Sequence, residues 1–301
     1  MNKPQKRAWV VGEALMDLIP DAGGQRQPMV GGGPANTAKA IARLGYSTYF
    51  VGGISTDGYG RMIEAELRDS GVDLSLVVRR DLPTALAIAS IDDNGLARYE
   101  FELEGSASFA FDHSWLPHGE PDVIHIGSVA TLLEPGASEL LHWLSEKSAP
   151  IVFDPNVRPS IQGDQGLYRA AVERWLDYAT VVKMSEDDFR WLYSESEEEL
   201  VRSWIGRGVS IVIVTRAEKG LSAYSADFEI SGDAVSVEVV DTVGAGDTIG
   251  AVVVEGLLQY GLPGLNMQTL SIVLSRAAKA ASITCSRAGA NPPWLEELDR
   301  I

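Results

Sequence analysis

The sequence predicts an α/β fold, a largely parallel sheet flanked by helices on both faces. Apolar strand-like runs alternate with segments of helical period from one end of the chain to the other. A glycine also falls just beyond each of the clearest helical segments, where a left-handed cap is expected. The strand candidates are 8–13, 48–52, 123–126, 151–154, 181–184 and 211–215. The helix candidates are 35–44 before Gly45, 60–70 before Gly71, and 248–260 before Gly261. The acidic run 195–199 reads as a helix start capped by Ser194 or Ser196.

One stretch breaks the rhythm. Residues 85–91 and 96–103 are β-prone and are joined by Asp92-Asp93-Asn94-Gly95, a strong hairpin signal. With 15–20 they form a small sheet, either an edge of the main layer or a lid over a pocket. We expect a single domain over 1–301, with the lid formed by about 13–28 and 84–106.

Composition narrows the function classes. A hydrophobic content of 45% and a charged content of 22% are those of an ordinary globular protein. No apolar run is long enough to span a bilayer, and the first residues lack the apolar core of a secretory signal. With a single cysteine, Cys285, no intrachain disulfide forms, and a cytoplasmic location is expected; Cys285 reads as a buried core thiol. The net charge of −17 argues against nucleic acid and anionic membranes as partners. The four histidines, His113, His118, His125 and His142, show no metal spacing and receive no role.

The sharpest chemical signal is the run Val239-Val240-Asp241-Thr242-Val243-Gly244-Ala245-Gly246-Asp247-Thr248. A β-branched strand enters two glycines, and a helix then begins. Backbone N–H groups converge there and the helix dipole favours an anion, giving a phosphate or oxyanion cradle built without lysine. Asp247 on its rim is a proton acceptor for an attacking hydroxyl; the plainer alternative is an N-cap. No Walker A loop occurs, nor a dinucleotide fingerprint after the first strand, which disfavours a nicotinamide dehydrogenase.

The second signal is Gly31-Gly32-Gly33-Pro34-Ala35-Asn36 leading into a helix. Bare backbone there lets a ligand lie close, and Asn36 offers a donor and an acceptor for sugar hydroxyls. Asp17 lies just past the first strand, at the edge where open α/β sheets bind ligands. Arg158, after the strand ending in Asp154, can pair with a transferring phosphate. The loop Lys183-Met184-Ser185-Glu186-Asp187-Asp188 offers carboxylates for magnesium held through water.

Together these residues resemble the ribokinase-like (PfkB) carbohydrate kinase family over nearly the whole chain. "GGGPANTAKAIARLG" is similar to its N-terminal signature and "DTVGAGDTIGAVVVEGL" to its C-terminal one. The resemblance implies a ribokinase-like fold with a β-sheet lid, and transfer of the γ-phosphoryl of MgATP to a sugar hydroxyl. It makes Asp247 the base and Gly244, Ala245, Gly246 and Asp247 the anion hole, with Arg158 facing the transferred phosphate. Asp17, Gly32, Gly33 and Asn36 would hold the sugar. Lys183, Ser185, Thr215, Gly220, Gly246 and Gly289 would border the nucleotide. Asp241, Val243, Thr284, Arg287 and Gly289 would form a site for a monovalent cation such as K+. It also implies a homodimer paired through the lids.

Within the family, "FDPNVRPS", "VVKMSEDD" and "ITCSRAGANPP" look most like bacterial fructokinases. The second lid strand reads Tyr99-Glu100-Phe101-Glu102-Leu103-Glu104, whose carboxylates would repel an acidic sugar, so a neutral one is expected. Ribose, a ketodeoxy sugar acid or a nucleoside is the alternative substrate, and a non-catalytic sugar-binding protein the alternative class. The family's Asn-x-x-Glu becomes Ser185-Glu186-Asp187-Asp188, and its Thr-x-Gly becomes Thr215-Arg216-Ala217.

Overall fold

The computed structural model describes residues 6–21, 23–91 and 97–300. The first half of the chain supplies β1 (Arg7–Val11), β2 (Leu15–Pro20), β3 (Arg26–Gly31), α1 (Gly33–Arg43), β4 (Ser47–Val51), β5 (Gly53–Ser55), α2 (Gly58–Asp69), β6 (Val78–Arg80), β7 (Leu86–Ile91) and β8 (Ala97–Glu102). Next come β9 (Val123–Gly127), α3 (Gly136–Leu144), β10 (Ile151–Asp154), α4 (Gln165–Leu176), β11 (Val181–Ser185), α5 (Glu186–Leu192) and α6 (Glu197–Arg207). Then follow β12 (Ile211–Thr215), β13 (Leu221–Tyr224), β14 (Glu229–Gly232), α7 (Ala245–Tyr260), α8 (Met267–Cys285) and a short α9 (Leu295–Asp299).

The main sheet has the order β14-β13-β12-β11-β10-β9-β1-β4. It is parallel from β4 to β12, and β13 and β14 add an antiparallel edge. Its parallel strands read as continuous apolar runs because both faces are buried. Alternate residues point to opposite layers. Val10, Val152, Val181 and Ile211 pack with α1, α2, α7 and α8, whereas Val11, Phe153, Val182 and Val212 pack with α3, α4, α5 and α6.

The structure resolves the open choice at 84–103. β7 and β8 are antiparallel partners in a separate four-stranded sheet, β3-β2-β7-β8, and not an edge of the main sheet. The predicted Asp92–Gly95 turn lies outside the described residues. The small sheet also takes in β3, which runs on to Gly31, beyond the expected limit at 28. Its register brings the sequence-distant Asp17, Ala87 and Phe101 into one row.

Helix ends follow local chemistry. Gly45 and Gly71, with φ of 89° and 88°, occupy the left-handed positions expected after α1 and α2. Ser196, not Ser194, caps α6, in a reciprocal capping box with Glu199. Two expectations fail. Val239 and Val240 are exposed and form no strand, because β14 already ends the sheet and the Val240 N–H bonds to the Cys285 carbonyl instead. Cys285 is half-buried, since α8 ends there and leaves it at the helix mouth, outside the core. Among the described residues no helix is long and apolar enough to cross a membrane.

Asp57 ties this frame to the small sheet. Its carboxylate accepts the Gly60 N–H at 2.7 Å as cap of α2, and both the N–H and hydroxyl of Thr84 just before β7. Asp57→Ala should lower stability by about 1–2 kcal/mol, the cost of a lost cap plus an unpaired donor. Chemical denaturation measures it, and a change within error of zero would contradict this role.

Candidate active site

The C-terminal edge of the main sheet collects the chemistry. β1 ends before Glu13, β10 ends in Asp154 with Asn156 and Arg158 beyond it, and β11 and β12 end in Ser185 and Thr215, which face each other in register. The N-termini of α1 and α7 converge over the same edge. Asp17 lies past the end of β1, as the sequence indicates, and within β2 of the small sheet, the segment 15–20 expected there.

Asp247 stands in the first turn of α7, 8% exposed. Asn36 donates its amide to Asp247 Oδ2 at 2.9 Å, across 211 residues of sequence. Burial pushes the Asp247 carboxyl up, opposed by the Lys183 ammonium and the Asn36 hydrogen bond. Asn36 Oδ1 is buried and has no hydrogen-bond partner among the described residues, an acceptor available to a ligand hydroxyl. Gly33 leaves the space between these groups open. A Cβ there would come within 2.9 Å of Asn156 Nδ2 and 3.3 Å of Asp247 Oδ1.

The cradle is as the glycines require. Gly244 takes φ 80° against Ala290, where a Cβ would lie only 2.6 Å from the alanine methyl. The first turn of α7 leaves the N–H groups of Gly246 and Asp247 without intrahelical acceptors. The expectation of a cradle without lysine is corrected. Lys183 Nζ would lie 3.2 Å from a Cβ at Gly246, so a buried ammonium backs the cradle. Burial works against that charge, but Asp154 Oδ2 at 2.7 Å together with Asp247 and Asp188 outweighs it, and the Lys183 pKa is pushed up.

Other predicted residues divide. Arg158 folds over its own loop, donating to Asn156 Oδ1 at 2.7 Å and to the Asn156 and Val157 carbonyls, and it acts electrostatically on both Asp17 and Asp247. Asp188 is the N3 partner of Ser185 in the α5 capping box and also accepts the Val157 N–H. Asp154 Oδ1, in contrast, is buried and has no partner among the described residues. Hard carboxylate oxygens at Asp154 and Asp188 fit a hydrated magnesium ion. Asp241 accepts the N–H groups of Val243 and Gly289, drawing the predicted monovalent-cation loops together. The Arg287 guanidinium turns away to Glu297, so its backbone alone remains at that loop. Gly220 allows close strand passage: a Cβ would be 2.1 Å from the Gly232 carbonyl oxygen.

Sequence reasoning missed Glu13, Asn156 and the Lys183–Asp154 pair. Glu13 is 1% exposed; burial pushes its carboxyl up, and it accepts the Ala130 N–H. A charged residue inside an apolar run was the available signal. Asn156 adopts a left-handed φ of 44°, with only its neighbourhood to Arg158 as a hint. The argument from the β8 carboxylates is also corrected. Glu100 and Glu102 pair with Ile88 and Leu86, on the face opposite Tyr99, Phe101 and Leu103. The charge that faces the site is Asp17.

A family model described as pfkB family carbohydrate kinase matches residues 5–297. The chain belongs to that family. A fructokinase of Salmonella typhimurium is 30% identical over 304 residues, covering 98% of both chains. One from Rhizobium leguminosarum bv. trifolii is 32% identical over 255 residues, 82% of this chain and 78% of its own. The crystal structure of a Vibrio cholerae fructokinase in a fructose, ADP and calcium ion bound form matches with a TM-score of 0.85 at 27% identity, covering 96% of this chain and 95% of that one. The ribokinase-like fold and ATP-dependent sugar kinase activity follow.

Asp17 gives this site a pH signature. Burial pushes its carboxyl up to about 6, opposed by Arg158 and Lys39 and reinforced by Asp247 and Asp241. Its folded pKa is raised, so ionised Asp17 costs stability fully above about pH 6, and the cost fades as pH falls toward the unfolded value of about 4. Asp17→Asn should therefore melt higher than wild type at pH 7.5, with the gap closing near pH 4. Thermal melts across that range check it; equal melting temperatures at pH 7.5 would refute the buried charge.

Proposed function

We propose that the chain is a fructokinase, transferring the γ-phosphoryl of ATP to the primary hydroxyl of D-fructose to give fructose 6-phosphate and ADP. The observation that carries the mechanism is the buried Asp247 carboxylate, held by Asn36 on the rim of the Gly244–Gly246 cradle and facing the open backbone of Gly33. The relatives named fructokinase support the choice of sugar.

Asp247 takes the proton of the attacking hydroxyl as its oxygen bonds to the γ-phosphorus. The bond from that phosphorus to the β–γ bridging oxygen breaks, and ADP leaves. The cradle N–H groups and Lys183 hold developing charge, already oriented before reaction. Arg158 supports the transferred group. Magnesium, bound by Asp154 and Asp188 through water, would neutralise phosphate charge. Asp17 and Asn36 Oδ1 accept sugar hydroxyl protons. Asp17 also disfavours an anionic sugar, taking over the part first given to the β8 carboxylates. Thr215, Ser185, Gly220 and Gly289 border the nucleotide, and the loops joined by Asp241 would hold a monovalent cation. The small sheet acts as the lid, its facing copies would join a homodimer, and the enzyme works in the cytoplasm without nucleic-acid or membrane partners.

Asp247→Ala should lower kcat by roughly 10²–10⁴-fold while sugar still binds. Steady-state kinetics with calorimetric sugar binding test this, and near-wild-type turnover would sink the base assignment. An ADP-release assay over fructose, ribose, 2-keto-3-deoxygluconate and nucleosides tests the substrate. Fructose is expected to have the highest kcat/KM by at least about tenfold, a pocket-contact difference of some 1.4 kcal/mol. Preference for another sugar would overturn fructose and leave the kinase intact. Sugar-dependent thermal stabilisation with no turnover would favour the non-catalytic reading.

A further inference from the structure

The histidine spacing carries no metal signature, yet the fold brings two of these residues together with a glutamate. His142 lies in the last turn of α3, and Glu146 follows four residues later, where the helix ends. His113 sits on the connection between β8 and β9. Glu139 Oε2 accepts the His113 backbone N–H at 3.0 Å, which fixes that connection against α3. The His113 and His142 rings lie 4.7 Å apart between centroids, and His113 Nε2 is 3.9 Å from Glu146 Oε1. One ligand atom from each of the three residues lies within 4.8 Å of the other two. His113 Nδ1 is buried and has no hydrogen-bond partner among the described residues.

We propose that His113, His142 and Glu146 form a binding site for a late first-row divalent metal ion, zinc foremost. Two imidazoles with one carboxylate are a donor set that suits zinc and not magnesium or calcium. Bonds of about 2.0 Å place tetrahedral ligand atoms about 3.3 Å apart, a separation that small side-chain rotations here can reach. The fourth position stays open to water. A cation there also lies by the C-terminal end of α3, where the helix dipole favours it.

The location gives the site a consequence. The connection that carries His113 also carries Phe109, Ala110 and Phe111, which line a cleft of about 900 Å³ with Tyr99, Phe101 and Ile161. A bound ion would pin the segment that returns the small sheet to the body of the protein.

Calorimetric titration of untagged, chelator-treated protein with zinc chloride, without nucleotide, tests the proposal. One site with Kd below about 10 µM is expected, together with a zinc-dependent rise in melting temperature. His142→Ala and Glu146→Gln should each weaken binding by about tenfold or more, as removal of a ligand requires. Asp247→Asn should leave zinc binding unchanged, which separates this site from the catalytic carboxylates. His142 and Glu146 are exposed, so both variants should fold and melt like wild type when no zinc is present. Absence of binding at 100 µM zinc, or equal binding by wild type and His142→Ala, would overturn the site.

Discussion

A protein of net charge −17 that handles a triphosphate must gather positive charge where it is needed and keep it from collapsing onto surface carboxylates. The buried Lys183–Asp154 pair meets that constraint. An isolated ammonium at such depth would lose its proton, and an isolated carboxylate would gain one. Together they hold a charge fixed behind Gly246, with Asp154 Oδ1 still without a partner among the described residues. The cost of burying the pair falls on the fold, through β10 and β11 packed on both faces, and not on the moment of phosphoryl transfer. Around this centre the signs alternate: Asp247 beside Lys183, and Arg158 between Asp17 and Asp247 in its electrostatic effect.

The same constraint explains why α1 and α7 must meet. α7 brings the cradle and Asp247, and α1 brings Asn36 and the open backbone of Gly33. A hydrogen bond between residues 211 positions apart holds only because both helices pack on the same face of the sheet. The small residues along α1, among them Ala35, Ala38 and Ala40, are fully buried there and let the backbones approach. Lys39 reinforces the join, bonding Glu66 of α2 and the Ala290 carbonyl next to the cradle. An alanine-rich helix face, unremarkable as core, thereby sets the position of the Asp247 carboxylate.

How much of this was legible in the sequence follows physical range. Period and punctuation are local, so the parallel strands, the ends of α1 and α2, and the Gly244–Asp247 turn could be read directly. Long-range pairing is not local. Nothing near Asp188 shows that the Val157 N–H will reach it, and nothing near Lys183 names Asp154 as its partner. Strand facing was legible in principle: residues 99, 101 and 103 alternate with 100, 102 and 104, so the tyrosine and phenylalanine could have been separated from the glutamates. The β-branched Val239 and Val240 misled because propensity does not supply a neighbour to pair with. His113 and His142 stand 29 positions apart, far from any ligand spacing, and the contact arises from tertiary structure.

The small sheet joins the two halves of the centre physically. β3 carries Met29, whose Cε would lie 2.2 Å from a Cβ at Gly289, so the loop tied to Asp241 touches the strand that runs into the glycines before α1. Asp17 sits on the paired strand, and its raised pKa depends on being covered. If the sheet lifted, Asp17 would meet water and return to the ordinary carboxylate range, so closure without sugar and proton uptake by Asp17 favour each other. In the proposed function, a sugar hydroxyl donating to Asp17 would replace the lost water and allow closure with the carboxylate ionised. On the proposed reading, binding energy from a part of the sugar remote from the reacting hydroxyl would be used to bring the sheet down over the Asp247 carboxylate.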